Sequence, residues 1–305
     1  MATKNKTVKT KHAFTGSYVA LVTPFKNGKV DMDAFQKLVE WHIASGTHGL
    51  VPCGTTGETP TLSESEHKSL ISACIEAAAG RVPVIAGAGS NATEKSVDLG
   101  RYAEKAGADG ILVVTPYYNK PTQEGMYQHY KAVNDKQGLP VILYNVPGRT
   151  GVEISVDTVV RLAALKRVVG IKDASVDLSR PLQIRRALGD GFIQLSGEDA
   201  TVAAYLAQGG HGCISVTANV APKLCADLHT AWQKKDWKAF EKLRDQLLPL
   251  HKTLFAETSP SPAKYCLNRM GKIAPDLRLP MIPVSKATEK LLDAAMTASG
   301  IKLKK

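Results

Sequence analysis

"EKAGADGILVVTPYY", residues 104–118, joins the end of a helix to the start of a strand. Gly107 closes a helical segment that begins near residue 92, as glycine does at helix C-termini. Gly110 then opens "GILVVTP", an apolar run rich in β-branched residues. Its apolar residues are continuous rather than alternating, as in parallel strands covered on both faces. The same junction recurs along the chain. Residues 31–45 place Phe35, Leu38, Val39 and Ile43 on one face and stop at Gly46. Residues 64–79 follow a capping box, Ser63 with Glu66, and stop at Gly80. Apolar runs start at Ser17, Gly49, Val82, Gly110, Pro140, Val168, Phe192 and Gly212. Eight such βα units predict a (β/α)8 TIM barrel; a doubly wound parallel sheet is the alternative. Beyond about residue 222 the strands cease. "DWKAFEKLRDQLLPLHKTLF", 236–255, and the segment from Pro283 read as helices. The expected organisation is a basic, disordered tail over 1–13, a barrel over 14–235 and a helical C-terminal extension over 236–305.

The 305 residues are 44% hydrophobic and 22% charged, an ordinary globular balance. No apolar run approaches the roughly 18 residues of a membrane span, and the N-terminus lacks the apolar core of a secretory signal. The net charge of +11 raises nucleic acid as a partner. Seven of these charges sit near the ends, at Lys4, Lys6, Lys9, Lys11, Lys302, Lys304 and Lys305, leaving a body near +4. No internal Lys/Arg run or nucleic-acid motif is present, and a mildly positive body suits a small anionic substrate. The five cysteines form no CxxC pair, which favours reduced thiols and a cytoplasmic location. The histidines show no metal-binding spacing. Cys53 has two readings, a nucleophile beside a Gly/Thr turn or a small buried residue, and the second is the commoner fate.

In a barrel, chemistry sits at the C-terminal ends of the strands. Lys172, in "VVGIKDAS" (168–175), is the one lysine within the eight core runs. It reads either as a strand end reaching water or as an amine nucleophile. "GTTGE", 54–58, offers backbone amides and two hydroxyls to a carboxylate or phosphate; an ordinary Gly/Thr turn has the same spacing. "GAGSNA", 87–92, fits a loose dinucleotide pattern, but the next strand ends in Thr115, Pro116 and two tyrosines where an acid is needed. Tyr117, Tyr118 and Tyr144 share the rim of Lys172, as proton relays or as packed phenols. Arg149, in "NVPGRTG", is either a carboxylate clamp or a solvated loop residue. A lysine beside phenols, with carboxylate sites, describes Schiff-base chemistry on a keto acid. Pyridoxal phosphate wants a glycine-rich loop after the eighth strand, where "TANVAP" has none. No cofactor is expected.

Taken in order, "GTTGE", "TPYYNKPTQEG", "YNVPGRTG", "GIKDAS" and "SGED" resemble the dihydrodipicolinate synthase / N-acetylneuraminate lyase family of class I aldolases, from about Gly16 to the C-terminus. The double threonine and the arginine-bearing loop resemble the synthase branch. The resemblance implies condensation of pyruvate with L-aspartate 4-semialdehyde to 4-hydroxy-tetrahydrodipicolinate, in diaminopimelate and lysine biosynthesis. It implies that Lys172 forms the imine, and that Thr55 and Thr56 bind the pyruvate carboxylate with the backbone of Gly197 and Ile214 alongside. Tyr144 would carry the proton, linked through Thr55 to Tyr118. The relay would be completed across a tight dimer with Tyr117 interdigitating, within a homotetramer built as a dimer of dimers. Arg149 would hold the semialdehyde carboxylate. Lysine-inhibited members carry an allosteric cleft at the dimer interface. His67, Asn91 and Tyr117 match it, whereas Lys95 stands at the glutamate position and Glu64 at one usually held by histidine. Weak or absent feedback inhibition follows. The alternatives are another pyruvate-dependent aldolase, acting on N-acetylneuraminate or a 2-keto-3-deoxy sugar acid, and a non-catalytic keto-acid-binding protein.

Overall fold

The computed structural model describes residues 14–304; the expected basic tail, 1–13, lies outside the described residues. In chain order the strands are β1 (Gly16–Ala20), β2 (Phe25–Lys26), β3 (Lys29–Val30), β4 (Gly49–Val51), β5 (Ile85–Gly87), β6 (Gly110–Val114), β7 (Val141–Asn145), β8 (Val168–Asp173), β9 (Ile193–Ser196) and β10 (Gly212–Ser215). All except β2 and β3 fall in the eight apolar runs. A helix follows each of the eight, and three more close the chain at Trp237–Thr253, Ser261–Arg269 and Lys286–Ala298. This is the alternation expected of a (β/α)8 chain with a helical C-terminal segment.

By internal contacts the chain divides into two compact units, residues 14–15 with 83–214, and residues 16–82 with 215–304. In the first, β5 to β10 pair side by side, each pair parallel. Strands β7 and β8 are buried along their whole length, which explains their unbroken apolar runs. In the second unit β1 pairs in parallel with β4. Asn219 is wedged against β1, its amide donating to Ala20 O at 2.7 Å while its carbonyl accepts from Val22 N at 3.1 Å. The capping box forms as read: Ser63 Oγ accepts from Glu66 N, and Ser63 N donates to Glu66 Oε2 at 2.9 Å.

The hairpin β2–β3 is an addition to the sequence reading. Asn27 and Gly28 join its strands with φ of 52° and 75°. Two successive left-handed residues make the tight turn that an Asn-Gly pair favours. Arg278 fastens this hairpin to the helix Glu64–Ala78. Its guanidinium donates to Gly28 O and Thr61 O, each at 2.9 Å, and to both carboxylate oxygens of Glu66 at 2.6 and 2.8 Å.

The register of β7 against β8 contains one irregularity. Val141 is opposite Val168, but Ile142 is opposite Gly170, so Val169 has no partner. Beyond that bulge Tyr144 stands opposite Lys172; without it Tyr144 would face Ile171. Bulges re-aim side chains in this way. Gly170 is needed at this point, because a Cβ there would lie 2.5 Å from Ile193 O and 2.7 Å from Ile193 Cβ on β9.

Gly170→Ala should therefore destabilise the protein by about 1–3 kcal/mol, the usual cost of overpacking. Urea denaturation of the two proteins checks this, and an unchanged midpoint would contradict the register. A second expectation concerns acid. The Arg278 hydrogen bonds are the main cause that lowers the Glu66 pKa from 4.5 to about 2. A carboxyl with a depressed folded-state pKa stabilises the fold fully above its unfolded value and ceases to do so as pH falls through the folded one. Unfolding free energy should thus decline between pH 4.5 and about 2 through this group. Glu66→Gln keeps the cap but has no titrating carboxyl, so its denaturation midpoint should vary less across that window; identical profiles would exclude the ion pair as a cause.

Candidate active site

Strand β8 carries two charges at its end, and alternation sends them to opposite faces. Asp173 meets Arg180, whose Nε donates to Asp173 Oδ2 at 2.8 Å and whose Nη2 donates to Ile154 O at 2.8 Å. Asn145 Nδ2 and Ser175 N also donate to Asp173, at 3.3 and 2.8 Å. This face is a satisfied ion pair that anchors the strand end. Lys172 turns the other way. The residue is 6% exposed, and its Nζ lies 4.2 Å from the centroid of the Tyr144 ring. Among the described residues no carboxylate pairs with it. A buried ammonium without an anion is costly, and a π face compensates it only in part.

Tyr144 is held from behind by Thr115, whose N and Oγ1 both donate to Tyr144 O, at 2.9 and 3.0 Å. Gly197 follows β9. A Cβ on Gly197 would come 3.0 Å from Lys172 Cε and 2.7 Å from Ala174 Cβ, so glycine leaves the passage along which the lysine stem runs. Lys172, Tyr144 and Gly197 are thereby brought together in one unit. Glu198, next to Gly197, was not singled out from the sequence. Burial raises its pKa, and the Lys172 charge acts on it in the opposite direction. Its place beside the conspicuous glycine of "SGED" is the signal that could have found it.

The other expected residues are placed as follows. Ile214 is buried on β10. Arg149 is exposed, in the single turn Pro147–Thr150. Tyr117 is half-buried, whereas Tyr118 is 89% exposed with φ of 71°. Among the described residues the Tyr118 hydroxyl has no hydrogen-bond partner. Asn91 is half-buried and accepts at its carbonyl from Asn119 Nδ2, 2.9 Å away. Lys95 is exposed.

The second unit holds "GTTGE". Thr55–Gly57 forms one 3-10 turn between Cys53 and Glu58, two non-glycine residues with φ of 56° and 55°. Thr23 Oγ1 donates to Gly57 O at 2.7 Å, and Thr59 Oγ1 donates to Cys53 O and Gly54 O at 2.7 and 2.8 Å. The carbonyls of Cys53, Gly54 and Gly57 are thus occupied, while the hydroxyls of Thr55 and Thr56 have no partner among the described residues. Such a turn has donors to spare for an anion. Cys53 is buried and its thiol is pushed far up by desolvation, which makes it a packing residue rather than a nucleophile. His67 is buried on Glu64–Ala78, and Glu64 pairs with Lys68.

The chain can be set beside known proteins. The model of the Dihydrodipicolinate synthetase family matches residues 13–299. A 4-hydroxy-tetrahydrodipicolinate synthase of Bradyrhizobium diazoefficiens is 58% identical, over 95% of this chain and 98% of its own length. Among solved structures, dihydrodipicolinate synthase from Aquifex aeolicus has a TM-score of 0.94 at 42% identity, covering 96% of this chain and 100% of that one. The chloride-inhibited dihydrodipicolinate synthase from Acinetobacter baumannii, solved with pyruvate, has a TM-score of 0.93 at 46% identity, covering 95% and 100%. The fold class is the (β/α)8 barrel with C-terminal helices. Matched over nearly its whole length, the chain belongs to the dihydrodipicolinate synthetase family.

Proposed function

We propose that this chain is a Schiff-base-forming lyase that condenses pyruvate with L-aspartate 4-semialdehyde to give 4-hydroxy-tetrahydrodipicolinate, in diaminopimelate and lysine biosynthesis. The observation that carries this is Lys172, buried without an ion-pair partner over the Tyr144 ring in a chain 58% identical to such a synthase. The pyruvate bound to the Acinetobacter baumannii relative supports the first substrate.

The Lys172 amine attacks the keto carbon of pyruvate and water leaves, giving an imine. Loss of a methyl proton gives the enamine, whose carbon bonds to the aldehyde carbon of the second substrate. The substrate's own amine then adds to the imine carbon and displaces Lys172, which closes the ring and frees the enzyme. Tyr144 gives and takes the protons, with Thr55 linking it to Tyr118. Thr55 and Thr56 bind the pyruvate carboxylate, the backbone of Gly197 and Ile214 lines the site, and Arg149 binds the semialdehyde carboxylate bidentately. An exposed phenol relays poorly in bulk water, so Tyr118 acts where a second copy covers it. Tyr117 interdigitates at the same interface, within a dimer of dimers. Residues 14–235 form the catalytic barrel and 236–305 the extension. Five free, buried cysteines among the described residues support a cytoplasmic location.

Borohydride with pyruvate alone should leave one reduced adduct, located on Lys172 by peptide mass spectrometry; an unmodified Lys172 would overturn the reading. Tyr144→Phe should lower kcat by about 10²–10⁴, the usual worth of a positioned proton carrier. With Lys95 in place of the glutamate, millimolar L-lysine should inhibit weakly or not at all, and strong inhibition in a steady-state assay would refute that expectation.

A further inference from the structure

Glu58 ends the turn that presents Thr55 and Thr56, yet its side chain does not reach solvent. Glu58 is 4% exposed and Lys264 1% exposed. Lys264 Nζ donates to Glu58 Oε1 at 2.6 Å, and Arg278 N donates to Glu58 Oε2 at 3.3 Å. Lys264 Nζ and the Arg278 guanidinium each lie 4.3 Å from the centroid of the buried Phe25 ring. Lys264 belongs to the helix Ser261–Arg269, 206 residues away in sequence.

Stability alone does not account for this pair. Taking both charges out of water costs about as much as their attraction returns, and apolar residues of equal volume do as well or better. Here burial outweighs Glu58 and leaves the Lys264 pKa below its ordinary value. What an ion pair adds over apolar packing is direction. The Glu58 carboxylate must point at one nitrogen, and Glu58 holds a left-handed φ of 55° that a non-glycine residue adopts only under constraint. Hydrogen bonds from Thr23 and Thr59 fix the carbonyls of Cys53, Gly54 and Gly57. The Lys264 contact fixes the side chain at the turn's exit.

We propose that the Glu58–Lys264 pair is a positioning device, by which the helix Ser261–Arg269 sets the Thr55–Thr56 turn for the carboxylate of the keto acid. The proposal rests on the reading that this turn binds pyruvate. Neither Glu58 nor Lys264 touches substrate; each acts through the turn. Without Lys264 the buried carboxylate loses the partner that directs it and swings toward water. That change releases the left-handed residue and moves the two hydroxyls that precede it. The loss falls on carboxylate binding, which substrate and transition state share. KM for pyruvate then rises with kcat little changed.

The experiment uses full-length protein with Lys264→Met and Glu58→Gln made separately and together. Pyruvate KM, kcat, half-saturation of borohydride trapping and thermal midpoint are measured for each. The device predicts that each single variant stays folded and raises KM and the trapping half-saturation about tenfold. The double variant should be little worse than either single one, as for residues acting as a unit. A lowered thermal midpoint with an unchanged pyruvate KM would reduce the pair to a structural contact and overturn the proposal. Failure of both single variants to fold would overturn it likewise. If wild-type protein traps no pyruvate at all, the functional reading falls first and the proposal with it; normal wild-type trapping with unchanged variants refutes the positioning role alone.

Discussion

Everything at the rim of β7 and β8 depends on one unpaired residue. Val169 is the extra residue that advances β8 by one position against β7. Side chains alternate along a strand, so a slip of one residue exchanges its two faces. Without the bulge, Ile171 would meet Tyr144 and the lysine would fall out of register with it. Gly170 lets β9 approach at the same point, and the continuing register sets Lys172 opposite Leu195. Thr115, bound to Tyr144 O, fixes the phenol's strand from the other side.

The same strand end disposes of charge in two ways. Asp173, Arg180, Asn145 and Ser175 form a buried set whose hydrogen bonds satisfy the carboxylate. One residue earlier, Lys172 is given an aromatic face and, among the described residues, no paired carboxylate. The satisfied pair keeps the strand end rigid, and a site is accurate only if its supporting shell is rigid. Gly197 continues the logic by giving up its side chain so that the lysine stem can pass.

Much of this was readable from residue order. Continuous apolar runs after helices closed by glycine showed the βα repeat, because parallel strands bury both faces and therefore cannot alternate. Lys172 was conspicuous as a charge inside such a run. The bulge was not legible, since Val169 is an ordinary strand residue and only the hydrogen-bonded neighbour reveals that it is skipped. The hairpin carries a strong local turn signal in Asn27–Gly28, but its flanking strands hold two residues each, too few to show an apolar pattern. Glu58 was seen as one letter of an anion-binding turn. Its burial depends on a lysine more than two hundred residues away, and no local pattern carries information across that distance.

Among the described residues two lysines are buried, Lys172 and Lys264, and they differ in pairing. Lys264 donates to the Glu58 carboxylate at 2.6 Å, and this directional contact suits a fixed support. Lys172 lies over the Tyr144 ring with no carboxylate paired to it among the described residues, so on the proposed reading no ion pair has to be broken before it attacks the keto carbon. On the same reading the Tyr144 phenol, opposite Lys172 on the adjacent strand, is well placed to exchange protons with the substrate. Pairing therefore separates the two buried lysines, and the register of β7 on β8 sets the unpaired one against a phenol.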